Sequence, residues 1–431
     1  MATFPLNPHF HQHQALSPTL QINERVQQLW AKGQTVYHFG FGESRFPVQP
    51  RVLAALQSNA QRKEYLPVQG LPALREVIAS YYGRFLPTPI SPQQVIIAPG
   101  SKAMLFALLM ALDGDLLLPT PSWVSYAPQA KLLAKPVYFI PASVVDGYTL
   151  TIENLHKTAQ YTGSTSKILI INSPNNPTGR MLTSDFLQDL AAYCRQNGIL
   201  VISDEIYGRV VDGHSPHISL AQYYPEGTII LGGLSKHLSL GGWRLGQAIL
   251  PATMTGLMPV LVSIASEIWT SASTPVQYAA LEAYSGHPEI EAYITDCARL
   301  HGLRTQHIWS WLVELGILCA QPHGAFYMMP NFDRWRERLA ERDVTTSAEL
   351  AHFLLDEYQL ALLPGSAFAV PATELSLRLA TSFVDMETDE KAEAMLATWQ
   401  AQPDEAIMTS HHPVTQKAIE QFQKLIVELE G

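Results

Sequence analysis

Residues 168–179 read Ile168-Leu169-Ile170-Ile171-Asn172-Ser173-Pro174-Asn175-Asn176-Pro177-Thr178-Gly179, an apolar run that ends in a polar turn. A continuous apolar run of this length is typical of a strand that is buried on both faces. An amphipathic stretch follows at residues 183–196, and a second apolar run follows at residues 199–203. The succession of strand, helix and strand predicts an α/β domain with a mainly parallel sheet.

Six more apolar runs extend this pattern to both sides. Together with 168–171 the runs are 95–98, 116–118, 137–140, 200–202, 229–231 and 248–250. They predict a large domain, residues 49–295, in which helices cover a mainly parallel seven-stranded sheet. Longer helical patterns follow, with strand-like segments at 324–329 and 375–381, and predict a smaller α+β domain from residues 15–48 and 296–400. Residues 401–431 read as a C-terminal helical extension.

The composition limits the class of partner. The chain has 431 residues, 47% of them hydrophobic, and a formal net charge of −10. An acidic chain gives no electrostatic reason to expect nucleic acid or an anionic membrane, and no apolar run approaches the roughly 20 residues of a membrane-spanning helix. The three cysteines lack metal-ligand spacing, and the first residues lack the pattern of a secretory signal. We therefore expect a cytoplasmic protein with a small-molecule ligand and no metal site.

Polar, chemically capable residues follow several of the apolar runs. They include Ser101 and Lys102, Asn176, Asp204 and Lys236. In open α/β sheets ligands bind beyond the carboxyl ends of the strands, so these positions are expected to converge on one pocket.

Lys236 lies in a glycine-rich turn, and Arg244 follows in Gly241-Gly242-Trp243-Arg244. A tethered lysine can bind an aldehyde covalently, and a nearby arginine can neutralise a phosphate. The pair therefore predicts pyridoxal 5′-phosphate as the cofactor. The competing interpretation is an ordinary surface lysine in a loop.

The ordered landmarks resemble class I and II pyridoxal-phosphate-dependent aminotransferases, which have fold type I like aspartate aminotransferase. The resemblance covers roughly residues 20–400 and rests on the whole ordered set, since each motif alone is weak. The landmarks are 65–70, 100–102, 122–126, 172–179, 203–207, 236, 244, 324–327 and 378.

The resemblance implies catalytic roles for Lys236, Asp204 and Tyr207. Lys236 would form the Schiff base and then act as general acid and base, and Asp204 would keep the pyridine nitrogen protonated. Asn176 and Tyr207 would hydrogen-bond the phenolic oxygen, and Trp123 would stack on the ring. Asp204 as a helix cap and Trp123 as a core residue are the structural alternatives.

The resemblance also implies how the phosphate is held. Ser101 and Lys102 open a predicted helix at residues 101–112, whose N-terminus attracts an anion, and Arg244 adds a charged fork. Tyr65 would reach the phosphate of a neighbouring subunit, which implies a homodimer with shared active sites. Gly233 departs from relatives that carry a hydroxyl at this position, so one phosphate contact is expected to be missing or supplied by water.

Arg378 matches the arginine that grips the substrate α-carboxylate, with an internal salt bridge as its structural alternative. Gly42 would bring a backbone N–H to the same carboxylate, and Asn176 would also contact the substrate. Phe41, Phe326 and Tyr327 suggest an apolar or aromatic-tolerant pocket, with packing at the domain interface as the structural alternative. Arg45 stands beside the expected substrate entrance, where it would help to bind an acidic side chain.

The resemblance predicts an aminotransferase that moves an α-amino group between an amino acid and a 2-oxo acid. Other reactions of the same cofactor, carbon–sulfur β-elimination and oxidative deamination, use the same residues and stay open. A ligand sensor is a further alternative, but only about 20 residues precede the aminotransferase-like region, too few for an added DNA-binding domain.

Overall fold

The computed structural model describes residues 18–213 and 216–431. The helices in chain order are α1 (Pro18–Ala31), α2 (Pro50–Asn59), α3 (Pro72–Gly83), α4 (Ser101–Ala111), α5 (Tyr126–Leu132), α6 (Ile152–Ala159), α7 (Ser184–Gln196), α8 (Leu257–Ile268), α9 (Thr274–Ala283), α10 (Pro288–Glu314), α11 (Arg336–Ala340), α12 (Ser347–Tyr358), α13 (Asp389–Ala401), α14 (Ile407–Ser410) and α15 (Pro413–Glu430). The strands are β1 (Tyr37–His38), β2 (Val95–Ala98), β3 (Asp115–Pro119), β4 (Val137–Ile140), β5 (Lys167–Asn172), β6 (Ile199–Asp204), β7 (Thr228–Gly233), β8 (Gly246–Ile249), β9 (Tyr327–Met328), β10 (Leu360–Ala361), β11 (Leu363–Pro364) and β12 (Leu377–Ala380).

A seven-stranded sheet forms the centre of the larger domain, in the order β2-β8-β7-β6-β5-β3-β4. Each of the seven predicted apolar runs forms one of its strands. The neighbouring pairs from β7 to β4 are parallel, whereas β8 runs antiparallel to both β2 and β7. The predicted α/β fold with a mainly parallel sheet is therefore confirmed.

Successive residues of one strand enter different hydrophobic clusters. Ile168 and Ile170 pack with residues of α4, α5 and α8, whereas Leu169 and Ile171 pack with residues of α6 and α7. Helices thus cover both faces of the sheet. This burial explains why the strands read as continuous apolar runs instead of alternating ones.

Two helices begin at, or within one residue of, the positions that the sequence predicts. The Thr183 hydroxyl accepts a hydrogen bond from Phe186 N at 3.3 Å, so α7 starts one residue later, at Ser184. Helix α4 starts directly after Gly100, whose φ of +96° suits a residue without a side chain.

The smaller domain contains a three-stranded antiparallel sheet, in the order β11-β12-β9, and the parallel pair β1 and β10. Its strands are shorter than the strand-like segments of the sequence. Ala325 has a φ of +57°, and its N–H bonds to Val210 O outside the sheet, so β9 cannot begin before Tyr327.

Helix α10 connects the two hydrophobic cores. It has 27 residues and is about 40 Å long. Ile290 and Ile294 belong to the core of the larger domain, and Ile308 and Leu312 belong to that of the smaller. Helix α15 buries its apolar side chains in the smaller core as well, so the C-terminal segment packs on the body of the protein. The domain limits near residues 49, 295 and 400 stay predictions, and residues 15–17 lie outside the described residues.

Within the described residues, no helix is both long and apolar enough to cross a membrane. Cys194, Cys297 and Cys319 are buried and form no disulfide.

Candidate active site

The carboxyl ends of β2, β5, β6 and β7 meet at a cavity of about 300 Å³. The sheet register explains this convergence, because Asn172 and Asp204 are direct neighbours at the ends of β5 and β6, and Lys236 follows the end of β7. Ten of the predicted site residues line the cavity: Gly42, Ser101, Lys102, Trp123, Asn176, Asp204, Tyr207, Lys236, Arg244 and Arg378.

Lys236 is held inside this cavity. Its Nζ donates a hydrogen bond to Gly42 O at 2.8 Å and lies 5.6 Å from the centre of the Tyr207 ring. Burial lowers the pKa of Lys236 to about 8; Arg378 and Arg244 act in the same direction, and the Glu43 and Asp204 carboxylates oppose them. A neutral, nucleophilic amine is therefore available at mildly alkaline pH.

Asp204 lies on the cavity wall, where Tyr126 holds it. Its Oδ2 accepts a hydrogen bond from Tyr126 Oη at 2.6 Å, and its Oδ1 accepts one from Ile206 N at 3.2 Å. Burial raises the pKa of Asp204 to about 6, and the hydrogen bonds from Tyr126 and Ile206 and the charge of Lys236 only partly oppose this shift. A protonated ring nitrogen would supply a compensating cation. The sequence assigned Tyr126 no role, although it stands three residues after Trp123 and packs against its ring at 5.2 Å.

The other end of the cavity combines two cations with the start of α4. A Cβ on Gly100 would lie 2.3 Å from Arg244 Nη2, and a Cβ on Gly246 would lie 2.3 Å from Ser101 N. These glycines therefore allow the Arg244 guanidinium to approach the helix N-terminus. Burial, assisted by Arg244, lowers the pKa of Lys102. Neither cation has an acidic partner among the described residues, which is what a phosphate site requires.

Gly233 cannot gain a side chain without movement of the sheet. A Cβ there would lie 2.8 Å from Leu245 O and 3.1 Å from Gly246 Cα. The close approach of β7 and β8 explains why this position carries no hydroxyl.

Arg378 is buried, with 2% of its surface exposed, yet no carboxylate among the described residues pairs with it. Its Nη2 donates to Gly40 O, and its Nε is buried without a hydrogen-bond partner. The structural alternative for Arg378, a salt bridge inside the protein, is therefore absent from the described part of the chain. A buried guanidinium without a counter-ion is costly, so a ligand carboxylate is the fitting partner.

Tyr207 and Gly42 are joined through Tyr327, a contact that the sequence did not predict. Tyr207 Oη lies 2.8 Å from Tyr327 Oη, which also donates to Gly42 O at 3.2 Å. A Cβ on Gly42 would lie 2.3 Å from Tyr327 Oη, so this segment requires glycine. Nearby, the side-chain Oδ1 of Asn176 is buried without a partner.

Three residues singled out in the sequence do not line the cavity. Tyr65 is 87% exposed, and Phe326 is fully buried in the protein core. Arg45 is paired with Asp389, with 2.9 Å between Nη2 and Oδ1. The hypothesis that Arg45 binds an acidic substrate is therefore not supported by its position.

The residues present fit pyridoxal phosphate. The cavity offers the Lys236 amine, the buried Asp204 carboxylate, the Trp123 indole face, the Asn176 amide and a cationic cup formed by Ser101, Lys102 and Arg244 at the N-terminus of α4. When bound there, the cofactor supplies an electron sink that stabilises negative charge at the α carbon of an amino acid.

Comparison with known proteins agrees with this geometry. The family model for aminotransferase class I and II matches residues 34–395. The aspartate aminotransferase of Geobacillus stearothermophilus is 35% identical over 381 residues, 86% of this chain and 94% of the relative, and that of Bacillus sp. YM-2 is 32% identical over 85% and 92%. The solved structure of the Thermus thermophilus aspartate aminotransferase with maleate has a TM-score of 0.82 and 26% identity, and the match covers 98% of this chain and 100% of that one. The chain therefore belongs to the class I and II aminotransferases and is a pyridoxal-phosphate-dependent transaminase.

Proposed function

We propose that this aminotransferase moves the α-amino group of a dicarboxylic amino acid, with aspartate as the first candidate, to a dicarboxylic 2-oxo acid. The observation that carries recognition of α-amino and 2-oxo acids is the buried Arg378 guanidinium, which has no acidic partner among the described residues. The dicarboxylic class is supported by the similar aspartate aminotransferases and by the maleate, itself a dicarboxylate, in the Thermus structure.

The side chains would divide the reaction as follows. Arg378 would hold the α-carboxylate, and Lys236 would remove the proton from the α carbon of the amino acid. Asp204, ionised once a cation faces it, keeps the ring nitrogen protonated, while Asn176 and Tyr207 hold the phenolic oxygen. Trp123 stacks on the ring, and Ser101 and Arg244 hold the phosphate. One substrate leaves as a 2-oxo acid before the second enters.

Lys102 is a cavity cation without an acidic partner in the described part of the chain, and its Nζ lies 5.0 Å from the centre of the Trp123 ring. Our proposal assigns it to the cofactor phosphate. Replacing it with alanine should therefore weaken cofactor binding, measured by fluorescence titration, more than it raises KM for aspartate. The reverse order would instead assign Lys102 to the substrate's second carboxylate.

We also propose a homodimer located in the cytoplasm. The exposed position of Tyr65 is what a residue that reaches a neighbouring subunit requires, and the buried, unpaired cysteines suit a reducing compartment.

Product analysis tests the function directly. The purified protein, supplied with pyridoxal phosphate, aspartate and 2-oxoglutarate, should form oxaloacetate and glutamate in equal amounts. Lys236→Ala should abolish turnover, and Lys391→Ala, which removes an exposed lysine paired with Glu387, should not. Ammonia release without transfer to the oxo acid, either with pyruvate from a β-substituted donor or with oxygen consumption, would contradict the proposal.

A further inference from the structure

We propose that three polar side chains, the buried Ser44 and His301 and the half-buried Ser239, are positioning residues that hold the Lys236 amine against its acceptor, Gly42 O. The inference rests on the proposed role of Lys236, and it concerns residues that do not line the cavity. We call the three side chains the clamp.

The clamp is a continuous hydrogen-bonded group. Ser44 Oγ lies 2.6 Å from Ser239 Oγ and 3.0 Å from His301 Nε2. Ser44 is 3% exposed and His301 is 1% exposed, so water does not compete for the contact between them, whereas Ser239 is half-buried. The three residues come from the segment 40–47, from the loop that carries Lys236, and from α10. The clamp therefore fixes two walls of the site to one rigid helix.

The protonation state of His301 determines which groups donate the hydrogen bonds within the clamp. Its ring lies between those of Phe46 and Phe326, with centre distances of 4.7 and 4.9 Å. Burial, assisted by Arg304, lowers the pKa of His301 well below its ordinary value, so the ring is neutral. Because Nδ1 has no hydrogen-bond partner, the single ring proton is best placed on Nε2, from which it is donated to Ser44. The Ser44 hydroxyl is then the donor to Ser239.

Each of the two clamped segments supplies one partner of the hydrogen bond between Lys236 Nζ and Gly42 O. Ser44 is two residues from Gly42, whose carbonyl accepts from Lys236 Nζ at 2.8 Å. Ser239 is three residues from Lys236, its N–H lies 3.4 Å from Lys236 O, and its φ of +59° is one that a serine adopts only when its surroundings hold it. Helix α10 holds the same segment a second time, because Tyr293 Oη donates to Pro47 O.

Loss of the clamp has a defined consequence. The segment 40–47 and the lysine loop could separate, and water could then reach the amine. Because burial is the main cause of the lowered pKa of Lys236, admission of water should move this pKa upward from about 8. Arg378 lies on β12, outside the two clamped segments, so capture of the substrate carboxylate should suffer less.

The experiment compares Ser44→Ala and His301→Phe with the wild-type protein. Two properties are measured: the pH midpoint of Lys236 acylation in the cofactor-free chain, followed by mass spectrometry, and kcat and KM in the holoenzyme. We expect the midpoint to rise by about one pH unit and kcat to fall about tenfold, as for one buried hydrogen bond, with KM for the amino acid changed less than about threefold.

Two further variants separate positioning from general loosening. Ser44→Thr keeps the hydroxyl and should restore the midpoint. Ser347→Ala removes another fully buried serine, whose Oγ accepts from Ser366 N at 3.2 Å in the smaller domain, and should leave the midpoint unchanged. The Phe variant fills the histidine space between two rings, so it provides a folded test if Ser44→Ala does not fold.

The inference is overturned if a folded clamp variant keeps the wild-type midpoint and kcat, or if Ser347→Ala moves the midpoint equally. These results are independent of the proposed substrate. A wild-type protein without dicarboxylic acid transfer would contradict the proposed function, yet the acylation midpoint would still test the clamp.

Discussion

Arg378 and Asp204 are buried charged groups that form no ion pair among residues 18–213 and 216–431. Each is the kind of residue that the sequence could identify, since a charge beside an apolar strand must have a partner. The hydroxyl groups that contact the site from inside the protein could not be identified from the sequence. Tyr126 and Tyr327 donate across 78 and 285 residues of sequence, to Asp204 and to Gly42 O, and such hydroxyl contacts leave no local pattern.

Arg378→Ala should raise KM for every amino acid donor by about 100-fold. The reason is the loss of a buried, charge-assisted contact with the α-carboxylate, which contributes roughly 2–3 kcal/mol. Steady-state kinetics with several donors measures this. Arg45→Ala is the matched control, since Arg45 pairs with the exposed Asp389 outside the cavity, and its KM values should stay within about twofold. Equal effects of the two substitutions would disprove the assignment of Arg378.

Asp204→Asn should change how the stability of the cofactor-free protein depends on pH. The folded pKa of about 6 exceeds the ordinary value of 3.8, so the folded state binds more protons between these values. Wild-type stability should therefore fall as pH rises through this window, by about 3 kcal/mol at most, and the asparagine variant should lack this fall. Urea unfolding near pH 4 and near pH 8 checks the sign; a wild-type protein that loses no stability relative to the variant across this window would refute it.

Among the elements, the strands of the large sheet were predictable because burial on both faces makes each of them uniformly apolar. Their directions were not, since the reversed β8 carries the same kind of run as its parallel neighbours. In the smaller domain, the left-handed Ala325 shortens a strand whose side chains alone favour a longer one.

The proposal that the start of α4 holds the cofactor phosphate can be tested by adding one methyl group, in Gly100→Ala. Gly100→Ala forces a side chain into a φ of +96° and places Cβ 2.3 Å from Arg244 Nη2. Displacement of the guanidinium should weaken pyridoxal phosphate binding at least tenfold, measured by absorbance titration. Gly83→Ala, at the end of α3, meets no atom within 4 Å and should bind the cofactor like the wild type. If both variants bind pyridoxal phosphate equally well, the cationic cup of Ser101, Lys102 and Arg244 does not hold the phosphate.

For the whole molecule, the proposed shared site predicts complementation between two defective subunits. On this proposal, Tyr65→Phe would damage the site of the neighbouring subunit, whereas Lys236→Ala would damage the site of its own subunit. A hybrid dimer of the two should therefore regain one intact site. Mixing the variants after reversible dissociation should raise activity above the sum of the separate proteins. Without such a rise, Tyr65 does not act across the interface.

The cavity lining is collected from almost the entire chain, from Phe41 to Arg378, and α15 completes the core beneath the smaller domain. During synthesis, an early part of the polypeptide therefore contains Lys236 without Arg378 or the closing helix. The residues proposed to hold the cofactor extend only to Arg244, so the growing polypeptide contains the coenzyme site before it contains the arginine proposed for the substrate carboxylate.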